Sequence, residues 1–219
     1  MVKKQDEKKK IVLEVENISK KFNNIRIIDK LSFKINKGEI VNVDGANGSG
    51  KTTLLKIIAQ IYNFDSGKIM IKQINLKNST YAKSLISYCS TETIFYKDFT
   101  VRENILFYFT LIGEENPKML LQENKDFQQI NKFLNLYPDQ LSDGQRKKMN
   151  LFRSLIPNYE LYLLDEPDIG LDKESIKDLN YLIDKIHKRG QSIIFTSHNQ
   201  NVLTIKNNIS QTISLWKIF

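Results

Sequence analysis

Gly45-Ala46-Asn47-Gly48-Ser49-Gly50-Lys51-Thr52 leaves few folds open to this chain, because it matches G-x-x-x-x-G-K-[ST] and sits between two kinds of element. Residues 39–44 before it read as an apolar strand, and residues 52–61 after it carry apolar side chains at helical spacing. Gly45, Gly48 and Gly50 free the backbone to curl, so that successive N–H groups face inward. The partial positive charge of the following helix N-terminus adds to them. The turn is therefore expected to cradle phosphate, with Ala46, Asn47, Ser49 and Thr53 in the same wall. Lys51 is expected to reach the β- and γ-phosphates, and the Thr52 hydroxyl to ligate Mg²⁺. A glycine-rich turn that merely precedes a helix is the plainer alternative, and the flanking strand and helix argue against it.

Leu161-Tyr162-Leu163-Leu164-Asp165-Glu166 supplies a second half. An apolar strand that delivers a carboxylate at its C-terminal end suits Mg²⁺, which makes Asp165 the metal candidate. Glu166 beside it is placed to orient and deprotonate an attacking water. Taken alone, the segment is also readable as a strand meeting a turn.

Strand-like segments are expected at 11–18, 31–35, 68–71, 85–89, 161–164 and 192–196, with helices at 142–155 and 173–188. From about 100 to 137 the apolar residues Val101, Ile105, Phe109 and Ile112 keep helical spacing and no strand is evident. Alternating strands and helices predict a mainly parallel sheet covered on both faces, with a helical insert. The 219 residues fit one domain, 41% of them hydrophobic. Mean hydropathy is -0.38, and runs such as Ile193-Ile194-Phe195 fall far short of the roughly 20 residues of a membrane-spanning helix. Residues 1–10 form a charged tail without the apolar stretch of a secretory signal. The single cysteine, Cys89, cannot form an intramolecular disulfide, which fits a reducing compartment. Net charge is +8, but the lysines are spread along the chain, so nucleic acid is not an expected partner.

Leu141-Ser142-Asp143-Gly144-Gln145 resembles the LSGGQ signature of ABC ATPases, and it opens a helix ahead of the acidic pair. Ser142 is also a plausible helix cap. The resemblance covers about residues 11–215 and implies an α/β P-loop NTPase core of ABC type. That core has a mainly parallel sheet, an antiparallel β subdomain and an inserted helical subdomain. It implies an ATP-binding core from 11–91 and 151–219, with 92–150 as the helical subdomain carrying the signature. It further implies ATP with Mg²⁺, hydrolysis, and a head-to-tail dimer in which Ser142, Gly144 and Gln145 meet the γ-phosphate held by the other copy. By the same resemblance Phe22 stacks on adenine, although Phe22 is equally readable as a core residue. Asp172, in Gly170-Leu171-Asp172, reaches across the dimer, and His198 is the histidine that contacts the γ-phosphate.

Two positions depart from the family pattern. Asp143 replaces a signature glycine and brings a negative charge, and Glu92 is expected in place of the usual glutamine, near Mg²⁺ and water. With no membrane span of its own, such a chain needs separate transmembrane permease subunits and a peripheral place at the membrane. Ile94, Phe95, Tyr96 and Phe99 offer such subunits a docking surface, or else pack internally. Residues 39–48, 100–108 and 208–215 are similar to the ATP-binding subunits that export haem for cytochrome c maturation. Small drug-export subunits share several of these likenesses. A soluble ATPase of iron–sulfur cluster assembly is the alternative of another class.

Overall fold

The computed structural model describes residues 10–90, 92–124, 127–197 and 208–216, except the side chains of 127–129. The chain opens with β1 (Ile11–Phe22) and β2 (Ile25–Asn36), paired antiparallel with Phe22 opposite Ile25. Asn23 and Asn24 between them have φ of 45° and 65°, the type I′ geometry whose twist suits a two-residue hairpin. Both strands exceed the expected 11–18 and 31–35. Bulges within the pair absorb the breaks in alternation that shorten the sequence reading, so the pairing continues to the turn.

β3 (Ile40–Asp44) leads through the glycine loop into α1 (Lys51–Ile58). This helix stops short of the expected residue 61. Gln60 takes a left-handed φ of 58°, and the N–H groups of Ile61 and Tyr62 both turn back to Lys56 O, at 2.9 and 3.1 Å. β4 (Ser66–Ile71) and the short β5 (Ile74–Asn75) complete an antiparallel sheet of order β2-β1-β4-β5. After α2 (Thr80–Ser84) come β6 (Ile86–Cys89), α3 (Val101–Leu111) and α4 (Pro117–Asn124). The chain continues with α5 (Asp143–Leu155), β7 (Leu161–Asp165), α6 (Lys173–Lys188), β8 (Ser192–Thr196) and β9 (Ile209–Ser214). The second sheet has order β6-β7-β8-β3-β9, and all of these pairings are parallel.

Successive residues of the parallel strands feed two different cores. Ile40, Tyr162, Leu164, Ile193 and Phe195 pack with Phe109, Met149, Phe152 and Leu182 from α3, α5 and α6. Val41, Val43, Leu161, Leu163 and Ile194 face the other way, onto Leu54 and Ile58 of α1 and onto Leu13 and Ile69 of the antiparallel sheet. Burial on both faces explains why these strands read as unbroken apolar runs. Each such side chain contributes about 1.5–3 kcal/mol by leaving water. The helix α5 runs unbroken through residue 150, the boundary expected between helical insert and core. Asn150 and Ser154 on its buried side tie it to β6 and the residue just beyond: Asn150 Nδ2 donates to Ser90 O at 3.3 Å, and Ser87 Oγ donates to Ser154 O at 2.8 Å.

Candidate nucleotide site and its second half

The loop between β3 and α1 is held open by backbone geometry. Gly45, Gly48 and Gly50 have φ of 151°, 79° and 99°, and Gly50 caps α1 without any side-chain hydrogen bond. The first-turn N–H groups of the helix therefore have no side chain on them, which suits an anion. Leu215, just beyond β9, donates its N–H to Asp44 O, and its carbonyl lies where a Cβ on Gly45 would be, 2.4 Å away. Ser49 is buried and its hydroxyl lacks a protein partner. Lys51 is also buried, and its ammonium donates to Gly45 O at 2.6 Å and Ala46 O at 3.3 Å, inside the loop it is expected to serve.

Beneath the loop, three hydroxyls converge on Asp165, a residue only 2% exposed. Thr52 Oγ1 and Thr196 Oγ1 each donate to Asp165 Oδ1 at 3.0 Å, and Tyr88 OH donates to Oδ2 at 3.1 Å. Burial, with the Asp165 charge beside it, pushes the Tyr88 phenol well above the usual tyrosine range, so it stays a donor. Thr196 also accepts a hydrogen bond from Glu166 N at 2.9 Å. Glu166 itself has φ of 47° and precedes a proline, a combination that costs on the order of 1–3 kcal/mol for a residue with a side chain. Its carbonyl accepts from Lys147 Nζ at 3.1 Å.

These parts open onto a cleft of about 470 Å³ lined by Phe22, Asn47, Gly48, Lys51, Thr53 and Glu166, among others. Phe22 stands at the tip of the β1–β2 hairpin, 40% exposed. It meets the Tyr62 ring edge-on at 5.6 Å, and Lys20 Nζ lies 4.8 Å from its centroid. Phe22 is thus a surface ring at the cleft and not a core residue.

A second cleft, of about 280 Å³, is lined by Ser142, Gly144, Gln145, Lys148, Gly170 and Asp172 among others, and shares no residue with the first. Ser142 and Gln145 form a reciprocal cap: Ser142 Oγ accepts from Gln145 N, and Gln145 Oε1 accepts from Ser142 N at 2.9 Å. Asp143, the departure from the signature, is fully outward and ion-paired with Arg146 one turn on. Asp172 caps α6 by accepting from Ser175 N at 2.7 Å, which holds its carboxyl below the usual carboxylate range.

The remaining sequence-derived residues divide. Glu92 is exposed in the loop after β6 and does not line the cleft; Tyr88, four residues earlier, is the side chain from this region that reaches Asp165. His198 lies outside the described residues. Phe95 turns inward, its ring 4.6 Å from the Arg153 guanidinium. Ile94, Tyr96 and Phe99 remain exposed, joined by Phe107, which meets Tyr96 and Phe99 at 5.2 and 5.8 Å. The buried Asn104 shapes this segment through bonds to the backbone of Tyr96, Phe99 and Thr100. Tyr88, Lys147 and Thr196 are the site residues that sequence reasoning missed.

The oxygen donors of Thr52 and Asp165 fit a small hard cation of the Mg²⁺ kind, which uses few protein ligands and completes its shell with water and phosphate. Among the described residues no cluster of three or more His, Cys, Asp or Glu offers an alternative metal cage.

A glycine loop on an uncapped helix, an apolar strand ending in two carboxylates, and a parallel sheet between helices define a P-loop nucleotide-binding protein. The sequence profile of the ABC transporter family matches residues 28–169. The chain belongs to that family, as an ABC-type ATPase cassette. It is 34% identical to the cytochrome c biogenesis ATP-binding export protein CcmA of Reclinomonas americana, over 90% of this chain and 88% of that one. It is 32% identical to a probable sulfate/thiosulfate import ATP-binding protein CysA of Chlorella vulgaris, over 84% of this chain and 80% of that one. It is also 31% identical to the ribose import ATP-binding protein RbsA of Caldanaerobacter subterraneus, over 87% of this chain but only 40% of that longer protein. A solved ATP-binding cassette, dimeric in a post-hydrolysis state with ADP and phosphate, shares the fold at a TM-score of 0.79 and 24% identity, covering 93% of this chain and 94% of that one.

Proposed function

We propose that this chain hydrolyses ATP as one of two cassettes that close head-to-tail, and that it drives separate membrane-embedded permease subunits. One observation carries the reading: the loop that cradles phosphate and the signature helix line two separate surface clefts, so one copy offers two half-sites. Two copies related by a two-fold axis would pair each loop with the other's Ser142 and Gly144.

In this reading Gly45 to Thr53 bind the triphosphate, and Lys51 turns from its own loop carbonyls to the phosphate oxygens. Phe22 stacks on the base. Thr52 and Asp165 hold Mg²⁺, which supplies charge neutralisation at the phosphoryl group. Glu166 orients the attacking water and takes its proton. Gln145 and Asp172 keep the signature and the start of α6 in shape for the partner copy, and His198 contributes a γ-phosphate contact. Glu92, in its exposed loop, is assigned to the neighbourhood of water and Mg²⁺.

The exposed Ile94, Tyr96, Phe99 and Phe107 are the surface proposed for the permease, and their exposure supports a peripheral seat at the face of a membrane. Among the described residues no helix is long and apolar enough to cross one. Haem export for cytochrome c maturation is the cargo reading supported by the likeness to CcmA over nearly the full length of both chains. The likeness to CysA at similar identity favours a second reading, an import cassette. The membrane subunits that co-purify with the tagged chain distinguish the two.

Glu166→Gln tests the core of the proposal. With ATP the variant is expected to elute as a dimer and to turn over slowly. Turnover at the parental rate would remove Glu166 from its role, and a monomer under saturating ATP would remove the paired half-sites.

A further inference from the structure

We infer that Lys147 is a positioning residue for hydrolysis: its ammonium fastens the strained Glu166 peptide to the helix that begins at the signature. The inference rests on the reading of Glu166 as the group that orients water. Lys147 lies on α5, five residues after Ser142, and only 8% of it is exposed. An ammonium taken out of water is costly unless its donors are satisfied. Here it donates to Glu166 O at 3.1 Å and, in a short contact, to Ile169 O. Burial pulls its pKa below that of an ordinary lysine, while the neighbouring Cys89, Asp168, Glu166 and Asp165 act the other way.

The two carbonyls bracket the segment that follows the acidic pair. At its start, Glu166 holds a φ of 47°, which its own side chain and Pro167 both disfavour. Its N–H is held by Thr196 on β8, and its carbonyl accepts from Lys147 on α5 at 3.1 Å and, at a longer 3.4 Å, from Ile169 N. A further tie closes the segment, as Ser197 Oγ donates to Asp168 Oδ2 at 3.0 Å. Without the ammonium, the tie from α5 to this unfavourable backbone is gone, and the carboxylate swings with it. Because α5 also presents Ser142 and Gly144 to the second cleft, the same lysine connects the two half-sites of one copy.

Lys147→Met fills the space and removes the charge. Its expected signature is a fall in kcat of about tenfold or more, as misplacement of a catalytic group produces, with the affinity for a fluorescent ATP analogue and the thermal midpoint close to parental. In a Glu166→Gln background the same change is expected to add nothing to the residual rate, since two groups acting as a unit are not additive. Lys147→Gln keeps a shorter donor and is expected to fall between parent and Met; it takes the same measurements if the Met variant does not fold. Parental kcat in the substituted protein overturns the inference. So does a loss of turnover matched by loss of nucleotide binding or of thermal stability, and so does a multiplicative effect in the double variant. Parental turnover by Glu166→Gln alone would instead overturn the catalytic assignment.

Discussion

At Gly45 an added Cβ would lie 2.4 Å from the Leu215 carbonyl and 2.5 Å from Ser49 Oγ, whereas at Gly48 nothing stands within 4 Å. Both residues have positive φ, so alanine at either is strained by about 1–2 kcal/mol. Only Gly45→Ala also forces two strands apart. Chemical denaturation is expected to find Gly48→Ala about 1–2 kcal/mol less stable than the parent and Gly45→Ala worse by a further 1–3 kcal/mol, roughly the penalty of overpacking. Equal losses would mean that the contact with Leu215 does not confine the loop. Gly45, Lys51 and Thr52 were legible as candidates because they lie in one short run, and Asp165 because it ends an apolar run. Tyr88, Lys147 and Thr196 were not, since each arrives from a different strand or helix. Thr196 left a usable trace: it is the register partner of Asp165, so aligning the two strands by their polar C-terminal ends would have brought it to the carboxylate. Glu92 is the opposite case, a carboxylate chosen by its place in a loop: it stands exposed, and Tyr88 on the strand before it is the side chain that bonds Asp165.

Helix α3 begins with a capping box, in which Thr100 Oγ1 accepts from Glu103 N and Glu103 Oε2 accepts from Thr100 N at 2.8 Å. Thr100→Ala is expected to lower stability by about 1 kcal/mol in denaturant titration while nucleotide binding stays parental. The hydrogen bonds from the Thr100 hydroxyl and N–H hold the Glu103 carboxyl below the usual range. A depressed carboxylate stabilises the fold above its unfolded pKa of about 4.3, and that contribution is lost as pH falls through the lower folded value. Glu103→Gln should therefore flatten the acid end of the stability curve. Both capping boxes could be read directly, as Thr-x-x-Glu before α3 and Ser-x-x-Gln before α5. The β1–β2 turn could not be read so easily, because Asn23 and Asn24 adopt the left-handed conformation without the glycine that usually announces it. The bulges of β1 hid its length for a related reason, since each shifts the alternation by which strands are recognised.

At the scale of the whole molecule, the proposed pairing of two half-sites about a two-fold axis would have a property that no single residue reveals. A copy with Lys51→Ala has a damaged cradle, and a copy with Ser142→Arg has a damaged signature. Each is expected to be inactive alone. In a mixed pair, the sound cradle of one faces the sound signature of the other, so mixing the two inactive proteins should restore about a quarter of parental turnover when copies exchange freely and sites act independently. No recovery on mixing would mean that each copy completes its site unaided. The carbonyl of Leu215 packed over Gly45 has a further consequence, because the next residue is Trp216, the single tryptophan of the chain and 82% exposed. One indole, open to water and one peptide from the wall of the phosphate loop, gives the protein its own optical label at the spot where its chemistry begins.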